Sequence, residues 1–139
     1  MSFRLLALTP NGVFFDKEVE EAYFPAPEGT MGIFEGYTPI CFSLSSAGVI
    51  KIMESGKERF YAVFGGAVSV EADKTTILSE DIEDGMTIDM ARAIAARDRA
   101  LDLIDGKDPN ADVERARAAL NRALVRIDAK SSQEGGRKS

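Results

Sequence analysis

Over the first 85 residues, apolar and polar positions change places within short segments, with no helical repeat among them. Stretches rich in Val, Ile, Phe and Tyr, such as "FRLLALT", "VFFDKEVEEAYFP", "PICFSL", "GVIKIME", "ERFYAVF" and "TTILSE", read as strands. Gly-containing or polar breaks, "PNG", "ESGKE", "GG" and "ADK", separate them. About eight to ten short strands predict a compact β-sandwich or flattened barrel, with one face of each strand turned to the core.

From residue 86 the period changes. Met90, Ile94, Leu101 and Ile104 recur at helical spacing, and so do Val113, Leu120, Leu124 and Ile127. Between the two sets, "DGKDPNAD" holds a glycine stop and Pro109, with Asp108 or Asn110 as the expected cap of the second helix. So short a connection predicts two antiparallel helices, an αα-hairpin. The polar run "KSSQEGGRKS" predicts a disordered tail. The expected organisation is a β-sandwich over 1–85, a helical hairpin over 86–130 and a tail over 131–139.

Charge sharpens that division. The 139-residue chain carries a net charge of −6, with 6 basic and 14 acidic residues up to Gly85 and 11 basic and 9 acidic residues after it. An acidic surface disfavours nucleic acid as a partner. The chain has no His, which removes the commonest general base and zinc ligand, and its single cysteine, Cys41, cannot form an internal disulfide. Cys41 lies in an apolar strand segment and reads as a small buried hydrophobe. No run of about 18 apolar residues is present and the apolar start "MSFRLLALTP" is short for a signal peptide, which predicts a soluble, cytoplasmic chain.

The helical pattern carries the candidate chemistry. At about 100° per residue, Arg92 and Arg99 fall opposite the Leu/Ile stripe of the first helix, and Arg115, Arg122 and Arg126 fall opposite that of the second. Ala93, Ala96 and Ala100 lie between the stripes of the first helix, as Ala116, Ala119 and Ala123 do on the second. Helices touching along their Ala stripes would give the hairpin one apolar face and one cationic face. Like charges brought together disfavour the fold by a few tenths of a kcal/mol per pair, roughly, and a polyanion such as a nucleotide triphosphate would reverse that sign. A solvated arginine face, partly neutralised by Asp89, Asp98 and Glu114, is the alternative reading of the same pattern.

The string "PAPEGTMGIFEGYTPI", Pro25–Ile40, resembles the Pro-Gly-x-Glu-Gly-x-x-Gly-Ile-x-x-Gly-His-x-Pro-Leu signature of the ε subunits of F-type ATP synthases. "YAVFGGAVSVEADKTTILSE" resembles the segment that follows, and "IDMARA", Ile88–Ala93, is similar to the Ile/Leu-Asp-x-x-Arg-Ala motif of the members that bind ATP. The resemblance covers about residues 3–128. It implies a ten-stranded antiparallel β-sandwich followed by an antiparallel αα-hairpin whose apolar face docks on the sandwich while its cationic face stays free. The implied role is that of a non-catalytic rotor subunit in the central stalk, peripheral on the cytoplasmic face of a bacterial cell membrane. Implied partners are the γ subunit and the ring of c subunits, and, for an extended hairpin, the α/β hexamer, where it would inhibit ATP hydrolysis. The implied ligand is regulatory ATP, with no catalytic cofactor and no metal. Ile88, Asp89 and Ala93 would surround the adenine, Arg92, Arg99, Arg122 and Arg126 would meet the phosphates, and Glu83 would sit at the edge of the pocket. Tyr37, Thr30 and Pro27 depart from the usual residues in the loop expected to meet the c ring.

Two readings from other classes stand beside it: a stand-alone nucleotide-sensing adaptor, and a small hydrolase built on Glu80, Asp81, Glu83 and Asp84. The acidic cluster reads more simply as a solvated charge run at a domain boundary. No nucleophile elbow or framed carboxylate pair supports the hydrolase. Gly65–Gly66 mark a tight turn or bulge, since no GK[ST] element follows them.

Overall fold

Period-two alternation puts Leu5, Ala7, Val19, Ala22, Phe24, Ile50, Ile52, Val68 and Ile77 on inward faces, and these residues form one buried cluster between two sheets. The structure is a computed structural model that describes residues 2–106, 109–110 and 112–136. Its strands are β1 (Phe3–Thr9), β2 (Gly12–Val19), β3 (Glu21–Ala26), β4 (Gly29–Phe34), β5 (Ile40–Ser43), β6 (Gly48–Glu54), β7 (Lys57–Val63), β8 (Ala67–Val70), β9 (Lys74–Leu78) and β10 (Ile82–Asp84). One sheet has the order β2-β1-β9-β8-β5 and the other β10-β7-β6-β3-β4. The pairing is antiparallel except between β1 and β9, which run parallel from Arg4↔Lys74 to Leu8↔Leu78. The ten-stranded antiparallel sandwich expected from the sequence is found, with this one parallel pair inside it.

Gly65 and Gly66 form the corner at which the chain leaves β7 in one sheet and enters β8 in the other. Both have positive φ, 77° and 114°, and the buried Ser79 hydroxyl donates to Gly65 O at 2.7 Å. Cys41 is exposed, not buried as expected. It sits on the edge strand β5, where its neighbour Phe42 takes the inward face against Phe24, ring centroids 5.9 Å apart.

Two helices follow, α1 (Met90–Ile104) and α2 (Val113–Ser131). Asp89 caps α1 by accepting from Arg92 N at 3.2 Å, and Gly106, with φ 78°, lies just past its end. The cap of α2 is Asp112, which accepts from Arg115 N at 3.1 Å; of the two caps expected from the sequence, Asn110 lies further upstream and Asp108 lies outside the described residues. The helices pack on each other, and Ala93, Ala100, Ala116 and Ala123 of the expected alanine seam are buried, whereas Ala96 lines a cavity and Ala119 is exposed.

The docking face is the reverse of the expected one. Leu101 and Leu124 of the expected face are 39% and 44% exposed, while Val125 and Ala129 join a second apolar cluster with Ala62, Phe64 and Ile88. On α2 these residues lie at roughly 120–160° from the Leu stripe, next to Arg122 and Arg126. The physical reason is complementarity, since the sandwich offers an aromatic ring and carboxylates, which suit arginine better than leucine.

The segment expected to be a tail also differs. Ser132–Gly136 continue beyond α2 as a short turn broken at Gly135, whose φ is 85°, and Ser132 is buried. The Gln133 carboxamide accepts from Phe60 N at 2.8 Å and donates to Glu58 O at 3.3 Å, satisfying backbone groups of β7 beyond the reach of the short β10. Residues 137–139 of the expected tail lie outside the described residues.

Gly85 sits in the seam between hairpin and sandwich. A Cβ there would lie 2.7 Å from Phe60 O on β7 and 2.9 Å from Ala129 O on α2. Both are backbone atoms, so Gly85→Ala should push α2 off the sandwich at a cost of about 1–3 kcal/mol. The expected readout is faster amide exchange over 125–133 with unchanged protection of β6; equal protection in both proteins would contradict it.

Candidate functional site

Glu83 and Asp84 belong to β10, whose Ile82 is buried and whose register is set by Ile82↔Val63 and Asp84↔Tyr61. The chain then turns tightly. Asp84 O accepts from Thr87 N at 2.9 Å and from Thr87 Oγ1 at 3.0 Å, and Asp84 Oδ1 accepts from Met86 N at 2.9 Å. That turn delivers Ile88 to the second apolar cluster and Asp89 to the head of α1. Arg92, Ala93, Ala96 and Arg99 then share one side of α1 at three- and four-residue spacing.

Between β10, the turn and the two helices lies a cavity of about 780 Å³, within the usual range for a small-molecule site. Seven of the eight expected site residues line it: Glu83, Ile88, Asp89, Arg92, Ala93, Arg99 and Arg126. The eighth, Arg122, stands beside it, with its guanidinium carbon 4.0 Å from the Phe64 ring centroid and Nη2 3.6 Å from Asp81. Phe14 of β2 also lines the cavity and was not among the expected residues. Phe14 is the extra residue of a β-bulge between Ala7↔Phe15 and Leu8↔Val13, a local break in pairing that the alternation of the sequence does not show.

The arginines fall into two pairs. Arg126 donates to Glu83 through Nε at 2.9 and 3.0 Å and through Nη2 at 2.9 Å, and lies 5.1 Å from the Phe64 centroid. Hydrogen bonding to Glu83 raises the pKa of Arg126 above its ordinary value, against the opposing effect of burial. Burial and the neighbouring Glu83 push the Asp81 carboxyl above its ordinary value, although Arg122 and Arg126 pull it the other way. Arg92 and Arg99 make no side-chain ion pair with a described residue, so two cations face the cavity without an internal counter-ion.

The acidic cluster is therefore not a solvated run. Asp81, Glu83 and Asp84 pair with Arg122, Arg126 and Arg59, the last at 3.0 Å, while Glu80 remains exposed. Among the described residues, no group of three or more His, Cys, Asp and Glu side chains is placed to hold a metal ion. None of the described helices is long and apolar enough to cross a membrane. Chemically, the cavity combines a cationic wall, a carboxylate at a helix cap and an apolar aromatic wall, which suits an anion carrying a flat ring.

Residues 2–85 match the family described as ATP synthase, Delta/Epsilon chain, beta-sandwich domain, and residues 87–131 match its long alpha-helix domain. The ATP synthase epsilon chain of Bacillus licheniformis is 36% identical over 106 residues, which are 76% of this chain and 80% of that one. That of Bacillus subtilis has the same identity and coverage, and that of Desulfitobacterium hafniense is 36% identical over 99 residues, 71% of this chain and 74% of its own. A chain in the Euglena gracilis mitochondrial ATP synthase, OSCP/F1/c-ring, shares the fold with a TM-score of 0.79 at 19% identity, over 92% of this chain and 81% of that chain. A chain in the Tetrahymena thermophila mitochondrial ATP synthase central stalk and c-ring shares it with a TM-score of 0.60 at 16% identity, over 94% and 97%. With both domains matched in order and relatives of one kind along three quarters of its length, the chain belongs to the ATP synthase delta/epsilon family, as an epsilon chain of the F type.

Proposed function

We propose that this chain is a non-catalytic central-stalk subunit whose sandwich joins a γ subunit to a ring of c subunits, and whose hairpin is a switch held down by regulatory ATP. The observation that carries the ligand half of this reading is the convergence of seven expected site residues on one cavity, with Arg92 and Arg99 unpaired within it. A triphosphate would supply those two cations with counter-charge. Binding across α1, α2 and β10 would favour the docked hairpin only by the difference in affinity between its docked and released states. The released state has its own support in the outward Leu101 and Leu124, apolar side chains on the face turned away from the sandwich and left for a surface such as an α/β hexamer. At the loop expected to meet the c ring, Phe34, Tyr37 and Ile40 are exposed, which supports contact with an apolar partner.

Titration calorimetry on the intact chain tests the ligand. ATP should bind in the micromolar to millimolar range, and Arg92→Ala should weaken it by about ten-fold or more, the worth of a lost charge-assisted contact. Because Arg92 makes no ion pair with the sandwich, the variant should leave hairpin docking unchanged. An unaltered affinity in that variant would remove Arg92 from the site. Co-purification from membranes with α, β, γ and c subunits separates the rotor from a stand-alone nucleotide-sensing adaptor, which needs none of them.

A further inference from the structure

Among the described residues that line the cavity, Phe14 alone comes from the sheet of β2, β1, β9, β8 and β5. Phe14 is the extra residue of a bulge in β2, between the pairs Ala7↔Phe15 and Leu8↔Val13, and it is 38% exposed while its neighbour Phe15 packs against the core. The ring is held in place by two aromatic neighbours. Tyr61 lies 6.1 Å away at an interplanar angle of 85°, and Phe15 lies 5.9 Å away at 59°. Neither is parallel to Phe14, so neither occupies a stacking position on it.

The register gives the ring its place along the cavity. Tyr61 is the cross-strand partner of Asp84, from which the chain turns through Thr87 into Asp89. Phe14 therefore stands at the end of the cavity where α1 begins. Arg99 lies about 15 Å further along, at 1.5 Å per helical residue from Asp89. Asp89 uses Oδ1 for the helix cap, which leaves Oδ2 to accept an exocyclic amine.

We propose that Phe14 is the platform on which the base of the nucleotide stacks, while the phosphates extend along α1 toward Arg92 and Arg99. This assignment rests on the nucleotide reading above and adds to it the residue that separates a nucleotide from a bare polyphosphate. Stacking of a base on an aromatic ring is worth roughly 5-fold to 100-fold in affinity.

The test titrates the intact chain with ATP and, separately, with inorganic tripolyphosphate, which carries the charge without the base. Phe14→Ala should weaken ATP by at least roughly 5-fold and leave tripolyphosphate unchanged. Phe14→Trp should keep ATP affinity. Since the chain contains no other Trp, the fluorescence of that indole should be quenched by ATP and not by tripolyphosphate. Equal ATP affinity in Phe14→Ala and wild type, or equal weakening of both ligands, overturns the stacking role while leaving a nucleotide site. Absence of ATP binding by the wild-type chain overturns the nucleotide site itself, and the platform with it.

Discussion

Arg126→Ala should release the hairpin from the sandwich and lose ATP binding in the same step. The side chain makes a two-pronged contact with Glu83, lies over Phe64 and lines the cavity, so docking and ligand affinity share one group. Truncation leaves Glu83 half-buried without its cation, beside an Asp81 carboxyl already pushed up by burial and by Glu83. Loss of the charge-assisted bonds and of the ring contact should cost docking about 2–4 kcal/mol. Lysine should not rescue it, because an ammonium cannot reproduce the planar fork. Amide exchange over α2 reports docking, and calorimetry reports the ligand. Arg92→Ala is the control, expected to lose affinity while keeping protection. Normal protection of α2 in Arg126→Ala would mean that the apolar cluster around Ala129 holds the hairpin unaided.

Gly66→Ala should destabilise the sandwich more than any change in the hairpin. Gly66 has φ 114°, a conformation that costs a non-glycine residue about 1–3 kcal/mol. An added Cβ would also collide with the carbonyl oxygen of Leu78 and the backbone of Ser79, neither of which is a flexible side-chain end. The corner cannot give easily, since Gly66 O accepts from Leu44 N at 2.9 Å and Gly65 N donates to Ser45 O at 3.1 Å. Together these predict a loss of roughly 3 kcal/mol or more, a large part of a small domain's stability. A urea titration followed by circular dichroism should show an earlier midpoint or no folded baseline. A midpoint shifted by less than the equivalent of about 1 kcal/mol would show that the corner relaxes.

Most of the architecture could be read from periodicity, because period two and period 3.6 are local properties of the chain. Four of the six seam alanines, Ala93, Ala100, Ala116 and Ala123, followed from spacing, since small residues recurring on one side of each helix permit close approach, while Ala96 and Ala119 stayed out of it. Orientation of the hairpin did not follow. Whether Leu124 or Arg122 faces the sandwich depends on Phe64, Asp81 and Glu83, which are remote in sequence from α2 and present their side chains only after folding. A hydrophobic stripe is a poor guide to docking when the receiving surface is acidic and aromatic. Gln133 was unreadable for a related reason: its polar run looks like a tail until the unpaired backbone of β7 supplies partners. Asp112 takes the place of the upstream candidates as a cap because the first turn of α2 begins at Val113, a shift of two residues from Asn110 and four from Asp108 that propensity does not resolve. In the site, the motif residues were legible as letters, whereas the division into Arg122 and Arg126, paired with acids, and Arg92 and Arg99, left open, required the fold.

The parallel pairing of β1 with β9 also governs when the sandwich can form. Strand β1 finds one partner at once in β2, but its other edge stays open until Lys74–Leu78 has left the ribosome, about 70 residues later. Closing that gap is a long-range event with a high entropic threshold, so formation of the sandwich should be slow relative to the helical hairpin that follows it. During synthesis, then, the growing chain carries an unprotected apolar edge for most of its length, and the residues that end its exposure are those of β9.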